Sequence, residues 1–390
     1  MKKILIACLA CLFLASCATN NNDSSNNNNN NVPSEDLFTN DNFIPSDFNN
    51  IYGVNEGEQN LSNFELNYDA TVRIRANYDD GQGNKFDQAS GFVYSKKDNN
   101  YYVITSASHI ASKKIIKGQV KLDYNGLYEF AFNDGRKYRG TIVGDYPGYD
   151  IAVFKITTPD YLPVAVIGSS DQLKIGQEVG AIGSPDVQQD LLNSYVRGVV
   201  SGLNRRSVSH YNGIQIGSFS TFQFDAPTNV GMQGGTVLNE NDEVIGIIAN
   251  KQVNNNLYES LSFAIAIDDV KNMVDSIIET GTYDKLMLGI TAFSLDFLNK
   301  DRVKWPYEEG VYNGVFITEV SSGSKAEQAG VKQSTVIVAC TNKDGKKINI
   351  NSMEEFQSQL IRLSSGDSIT LYLRHRANPI LEEVTISLWK

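Results

Sequence analysis

Hydrophobic and polar positions alternate in short bursts along most of the chain. Val72, Ile74 and Ala76 alternate with Arg73, Arg75 and Asn77, the period of a strand with one buried face. Further apolar runs follow at Phe92–Tyr94, Tyr101–Ile104, Ile151–Ile156, Val179–Ile182, Tyr195–Val200, Gly246–Ala249 and Leu261–Ile267, punctuated by Gly, Asn and Asp. Thr236–Leu238 and Val244–Ile248 flank Asn239–Glu243 and read as a hairpin. Many short strands at this spacing predict a barrel or sandwich. The pattern then changes period. Val270, Met273, Val274, Ile277 and Ile278 line one face of a helix that Asp268 or Asp269 can cap and Gly281 can end. A second helical stretch carries Ser352 and Glu355 as a capping box, with Met353, Phe356 and Leu360 on its inner face.

The two ends of this pattern differ. Lys2 and Lys3 precede an apolar run, Ile4 to Leu14, built like an export signal and too short for an ordinary membrane-spanning helix. The run closes on Leu14-Ala15-Ser16-Cys17. An ordinary secretory signal with a chance cysteine is the plain alternative to what this string resembles, the bacterial lipobox, which implies lipidation of Cys17. Nine Asn fill the stretch 20–31, which cannot bury enough apolar surface to fold. Residues 18–60 therefore read as a tether. Within it Phe38, Phe43, Ile44, Phe48, Ile51 and Tyr52 are more apolar than a linker needs.

Composition narrows the chemistry. The 390 residues carry 34 Lys and Arg against 45 Asp and Glu, a net charge of −11, which argues against nucleic-acid binding. Three of the four Cys lie before residue 18 and the fourth is Cys340, so with three His no Cys/His metal cluster can assemble. No intramolecular disulfide is expected in a mature chain that begins at an acylated Cys17. No phosphate-cradling Gly motif occurs, and no cofactor or metal is expected. His210 and His375, in polar surroundings, read as solvated.

Three places carry candidate chemistry. Ser106-Ala107-Ser108-His109 follows a strand. Asp150-Ile151-Ala152-Val153 puts an acid just before a buried strand, with Asp145 as its competitor. Gly231-Met232-Gln233-Gly234-Gly235 forms a Gly-rich turn. The order His, Asp, Gly-rich loop resembles the trypsin-like serine proteases, and the HtrA/Deg family above all. Ser90-Gly91-Phe92-Val93, Gly180-Ala181-Ile182-Gly183-Ser184-Pro185, Gly198–Arg205 and Leu261–Ile265 resemble that family's strands in the same order. The resemblance covers roughly residues 61–390. It implies a mainly β protein: a trypsin-like double β-barrel over 61–280, followed by an α+β PDZ domain over 281–390.

For the site, the resemblance implies His109 as base, Asp150 as its orienting acid, and the N–H groups of Gly231 and Gln233 as the oxyanion hole. Gln233 itself stands where the family has its nucleophilic serine. A carboxamide offers no nucleophilic oxygen and no proton for His109 to take. In the C-terminal module, Leu286-Met287-Leu288-Gly289-Ile290 resembles the loop that binds a chain-terminal carboxylate through backbone N–H groups. Leu288, Gly289, Ile290, Phe356 and Leu360 are its expected peptide-binding residues. Gly323–Val331 resembles the family's next turn, with Lys325 in place of Pro, and Asp301–Tyr312 is an inserted polar stretch. The expectation is a lipid-anchored, extracytoplasmic pseudoprotease that binds unfolded chains or C-terminal peptides, with a trimer implied by the resemblance. An active endopeptidase of envelope quality control and a structural or adhesive lipoprotein are its rivals.

Overall fold

The computed structural model describes residues 61–79, 83–186, 191–211, 214–249, 252–253, 256–257, 261–295, 313–375 and 378–388. The signal segment with Cys17, the tether and the insertion 301–312 lie outside the described residues. The described part opens on helix α1 (Asn63–Ala70), where the Ser62 hydroxyl accepts from the Glu65 N–H and the Glu65 carboxylate accepts from the Ser62 N–H.

Strands β1 (Thr71–Asp79), β2 (Asn84–Lys97) and β3 (Asn100–Ser106) follow, then helical turn α2 (Ala107–Ile110) and the hairpin β4 (Ser112–Ile116) and β5 (Gln119–Asp123). Next come β6 (Gly126–Ala131), β7 (Lys137–Arg139), β8 (Thr141–Tyr146) and β9 (Ile151–Thr157). Seven of these form an antiparallel sheet in the order β7-β6-β1-β2-β3-β9-β8. Val72, Ile74, Ala76 and Tyr78 enter the core as the alternation requires. Arg73 departs from it. It lies on the other face of β1 yet is buried, near Glu129.

The second half is a closed barrel. It comprises β10 (Glu178–Gly183), β11 (Ser194–Tyr211), β12 (Ile214–Phe224), β13 (Thr236–Leu238), β14 (Val244–Ile248) and, after the small ribbon β15 (Gln252–Val253) and β16 (Asn256–Leu257), β17 (Ser262–Ala266). The order β10-β11-β12-β17-β14-β13 removes free sheet edges from this half. The expected hairpin at Asn239–Glu243 joins β13 to β14. Helix α3 (Lys271–Thr280) buries Met273, Val274 and Ile277 and ends at Gly281 in the left-handed conformation. Asp268 and Asp269 fall in a 3-10 turn before it rather than at its cap.

The C-terminal module has its own core of Leu288, Val315, Ile317, Ile337, Cys340, Phe356, Ile369, Leu371 and Leu373. Its strands are β18 (Ile290–Ser294), β19 (Val315–Val320), β20 (Thr335–Thr341), β21 (Lys347–Asn349), β22 (Ser368–His375) and β23 (Asn378–Ser387), with α4 (Lys325–Gln328) and α5 (Met353–Ile361) between them. The sheet order β18-β19-β20-β22-β23 leaves β18 at an edge.

Helix α5 is shared between the two cores. Phe356 and Leu360 pack into the C-terminal core, whereas Ile361 joins the core of the N-terminal half. Glu354, Ser358 and Arg362 recur every fourth residue and form a polar seam. Glu354 pairs with Arg206 Nε at 2.9 Å. Ser358 Oγ lies 2.8 Å from both oxygens of Asp269, and Arg362 Nε donates to Asp269 at 2.6 Å. Arg362 also pairs with Asp171.

Candidate active site

Backbone geometry builds the site from both halves. Asp150 ends a short 3-10 turn, Pro147–Tyr149, with φ 59° and ψ 33°, a left-handed conformation that few non-Gly residues adopt. Its carbonyl accepts from the Ala107 N–H at 3.0 Å, which pins it to the start of α2. Its carboxylate is buried, 3% exposed, and accepts from the Ser106 hydroxyl at 2.7 Å and the Ser108 N–H at 2.6 Å.

His109 meets that carboxylate at second hand. Its Nδ1 lies 2.9 Å from Ser106 Oγ and 3.3 Å from Ser108 Oγ. Since Ser106 gives its proton to Asp150, the imidazole Nδ1–H is the donor to Ser106. The chain is therefore His109 to Ser106 to Asp150. The simple expectation of a direct His109–Asp150 hydrogen bond is corrected here: a neutral hydroxyl occupies the place of a carboxylate beside the imidazole. Ser106 is 2% exposed, so it is out of a substrate's reach. Burial pushes the imidazole below its ordinary value; Asp150 opposes this and Lys113 adds to it. His109 is accordingly a neutral imidazole near pH 7. Asp145, the competing acid, accepts from the Tyr124 hydroxyl at 3.0 Å instead.

The Gly231–Gly235 turn is held against the N-terminal sheet by Ser90. The Ser90 N–H donates to Gln233 O at 2.9 Å and its hydroxyl to Gly231 O at 2.8 Å. Gly234 needs to be glycine: its φ is +87°, and a Cβ there would lie 2.2 Å from Ser90 O. Gln233 is buried, 3% exposed. Its Oε1 accepts from the Gly231 N–H at 2.8 Å. One of the two expected oxyanion donors is thus occupied by the side chain standing at the nucleophile position. Among the described residues no hydrogen bond uses the Gln233 N–H, and none joins Gln233 to His109.

The C-terminal residues assemble differently. Gly289 has φ +80°, and a Cβ would lie 2.2 Å from Ser324 Cβ, so the turn before β18 depends on glycine. Leu288 O and Gly289 O accept from Ala326 and Ser321, at 3.0 and 2.8 Å. Among the described hydrogen bonds none uses the N–H of Leu288 or Gly289. Leu288, Phe356 and Leu360 are buried in one cluster, with Ile290 packed against it. Ser294 Oγ accepts from the Met353 N–H at 2.6 Å, which ties the start of α5 to the end of β18. The Ser352 hydroxyl caps α5 as expected, but Glu355 returns to the N–H of Asn351 rather than of Ser352. His375 is not merely solvated: it pairs with Glu382. Among the described residues no cluster of His, Cys, Asp and Glu is arranged to hold a metal ion.

Sequence reasoning missed Ser106 and Ser90. Ser106 stands in the quoted string before His109, but its role depends on where the helical turn sends the imidazole. Ser90 was visible only as the small residue before Gly91.

Comparison with known proteins agrees with this fold. The profile of the trypsin-like peptidase domain matches residues 89–247. The chain is similar to Serine protease Do-like HtrB of Bacillus subtilis, 32% identical over 295 residues, which covers 72% of this chain and 58% of that protein. It is 27% identical over 335 residues to Serine protease Do-like HtrA of the same organism, covering 84% of this chain and 69% of that protein. Among solved structures, the HtrA-type protease AlgW with decapeptide matches 84% of this chain and 97% of its own, with TM-score 0.56 at 20% identity, a likeness of fold.

Proposed function

We propose that this chain, which belongs to the HtrA/Deg family of trypsin-like serine proteases, acts as a peptide-binding pseudoprotease. One observation carries the reading: Gln233 stands in the nucleophile turn and its carboxamide oxygen takes the Gly231 N–H. Hydrolysis needs an oxygen nucleophile that a base can deprotonate and a vacant donor pair for the developing oxyanion. The first is missing and the second is half filled. A base held by a hydroxyl also lacks the adjacent carboxylate that would stabilise an imidazolium.

Binding is the function left to these parts. Residues 281–390 act as a PDZ domain in this reading, with a chain end laid along β18 and its carboxylate on the N–H groups of Leu288, Gly289 and Ile290. Of the expected wall residues, Leu288, Phe356 and Leu360 are packed in the module's core and support the groove from behind, which leaves the half-buried Ile290 to meet the ligand's last side chain. A lipid on Cys17 holds the protein on the extracytoplasmic face of the bacterial membrane, and residues 18–60 give it reach. The family resemblance suggests unfolded envelope proteins as the source of such ends, and a trimer.

Titration of the mature chain with peptides ending in a free apolar residue tests the reading. Saturable binding without cleavage of the peptide supports it. Cleavage, or binding indifferent to the peptide's C-terminus, contradicts it.

A further inference from the structure

The β4–β5 hairpin stands apart as its own two-stranded sheet. Its turn is Lys117-Gly118, both at positive φ, 52° and 76°, the tight geometry that suits a two-residue connection. Ile115 and Ile116 are the last two residues of β4 before that turn and are 48% and 50% exposed. Four lysines, Lys113, Lys114, Lys117 and Lys121, share the segment with one acid, Asp123, although the whole chain carries a charge of −11. Lys114 lies directly across from Lys121, a like-charged cross-strand pair that costs the fold stability. Asp123 offsets this in part, pairing with Lys114 at 2.8 Å.

Lysines on a short hairpin can guard its edges against pairing with other strands. That role does not call for two isoleucines in water at the tip. Apolar tips ringed by cations suit a surface that is negative outside and apolar just beneath.

From this we infer that the β4–β5 hairpin seats on an anionic membrane surface, with Ile115 and Ile116 entering the headgroup boundary and Lys114, Lys117 and Lys121 on lipid phosphates. The hairpin begins two residues after α2 ends, so its seating holds the His109 side of the cleft beside the bilayer. An anionic membrane and an acidic protein both complement the lysines; the exposed isoleucines favour lipid, because they add nothing to a purely ionic contact.

The test places an environment-sensitive fluorophore on Ile116→Cys in the mature chain. Cys340 is buried, with its thiol pushed up to about 12, and does not compete for the label. The labelled protein is mixed with vesicles of phosphatidylglycerol and phosphatidylcholine in equal parts, or of phosphatidylcholine alone. The expected result is a blue shift and quenching by a bilayer-embedded quencher in the anionic vesicles only. The Lys117→Glu, Lys121→Glu pair should weaken that response at least tenfold, and Ile115→Asn should reduce the blue shift. A label that stays water-like on anionic vesicles overturns the inference. So does a label that responds to polyglutamate but not to vesicles.

Discussion

The cleft between the two β halves and the groove beside β18 are built on the same device, a glycine turn that aims backbone N–H groups at a ligand. They differ in what already occupies it. At Gly231 the donor is taken by a side chain of the same turn, 2.8 Å away. At Leu288 and Gly289 no internal acceptor among the described residues takes the donors. A preorganised donor contributes to binding only if nothing inside the protein has claimed it. In the proposed reading the first site is therefore silent and the second recognises a chain end.

The largest test is of that silence. Without a nucleophile a triad loses about 10⁶ in kcat, so casein hydrolysis by the mature chain should not exceed background. Gln233→Ser alone should recover little, because Asp150 reaches His109 only through Ser106 and no carboxylate adjoins the imidazolium that forms during hydrolysis. Vigorous hydrolysis by Gln233→Ser, measured on the same casein, would show the remaining machinery intact and break the contrast.

The polar seam along α5 gives the next effect. Arg362→Met leaves Asp269 buried beside Ser358 without its cation, which should cost about 3–5 kcal/mol in urea unfolding. Adding Asp269→Asn should recover part of that loss. No loss in the single variant would mean that the seam along α5 does not hold the C-terminal module to the barrel.

A smaller effect sharpens the recognition half. Amidating a bound peptide's C-terminus should weaken calorimetric affinity by about 2 kcal/mol, the scale of a charge-assisted hydrogen bond. Equal affinity for free and amidated peptides would remove the groove's donors from the account.

The smallest effect concerns pH. Burial lowers His109's pKa in the folded protein, so the unfolded chain takes up a proton first as pH falls through about 6.5. Stability from this group is present above that pH and declines on acidification, by less than about 1.4 kcal/mol per unit. Comparing urea midpoints of wild type and His109→Asn from pH 7.5 to about 5 isolates it; parallel curves would mean that the imidazole titrates normally.

Most of the fold is legible in the chain because alternation and Gly spacing act locally. The strands around Val72, the β13–β14 hairpin and the Gly281 stop follow directly from residue order. So did the substitution at Gln233. What it does once folded was not legible: a flexible carboxamide could have reached His109, and only the shape of the turn sends it to Gly231. Helix α1 was missed although Ser62 and Glu65 signal it. Arg73 was expected in solvent, because alternation reports one buried face and β1 has two. The seam of Glu354, Ser358 and Arg362 reads in sequence as an ordinary solvated helix face; it finds its partners only because Arg206, Asp269 and Asp171 are brought against it from far along the chain.

The most direct measurement is the intact mass of the mature chain after treatment with a fluorophosphonate, which adds covalently to an activated serine. A cleft whose nucleophile position holds Gln233, and where the hydroxyl that bonds the base, Ser106, is buried against Asp150, predicts an unchanged mass. An adduct that forms readily and disappears with His109→Ala would contradict the account.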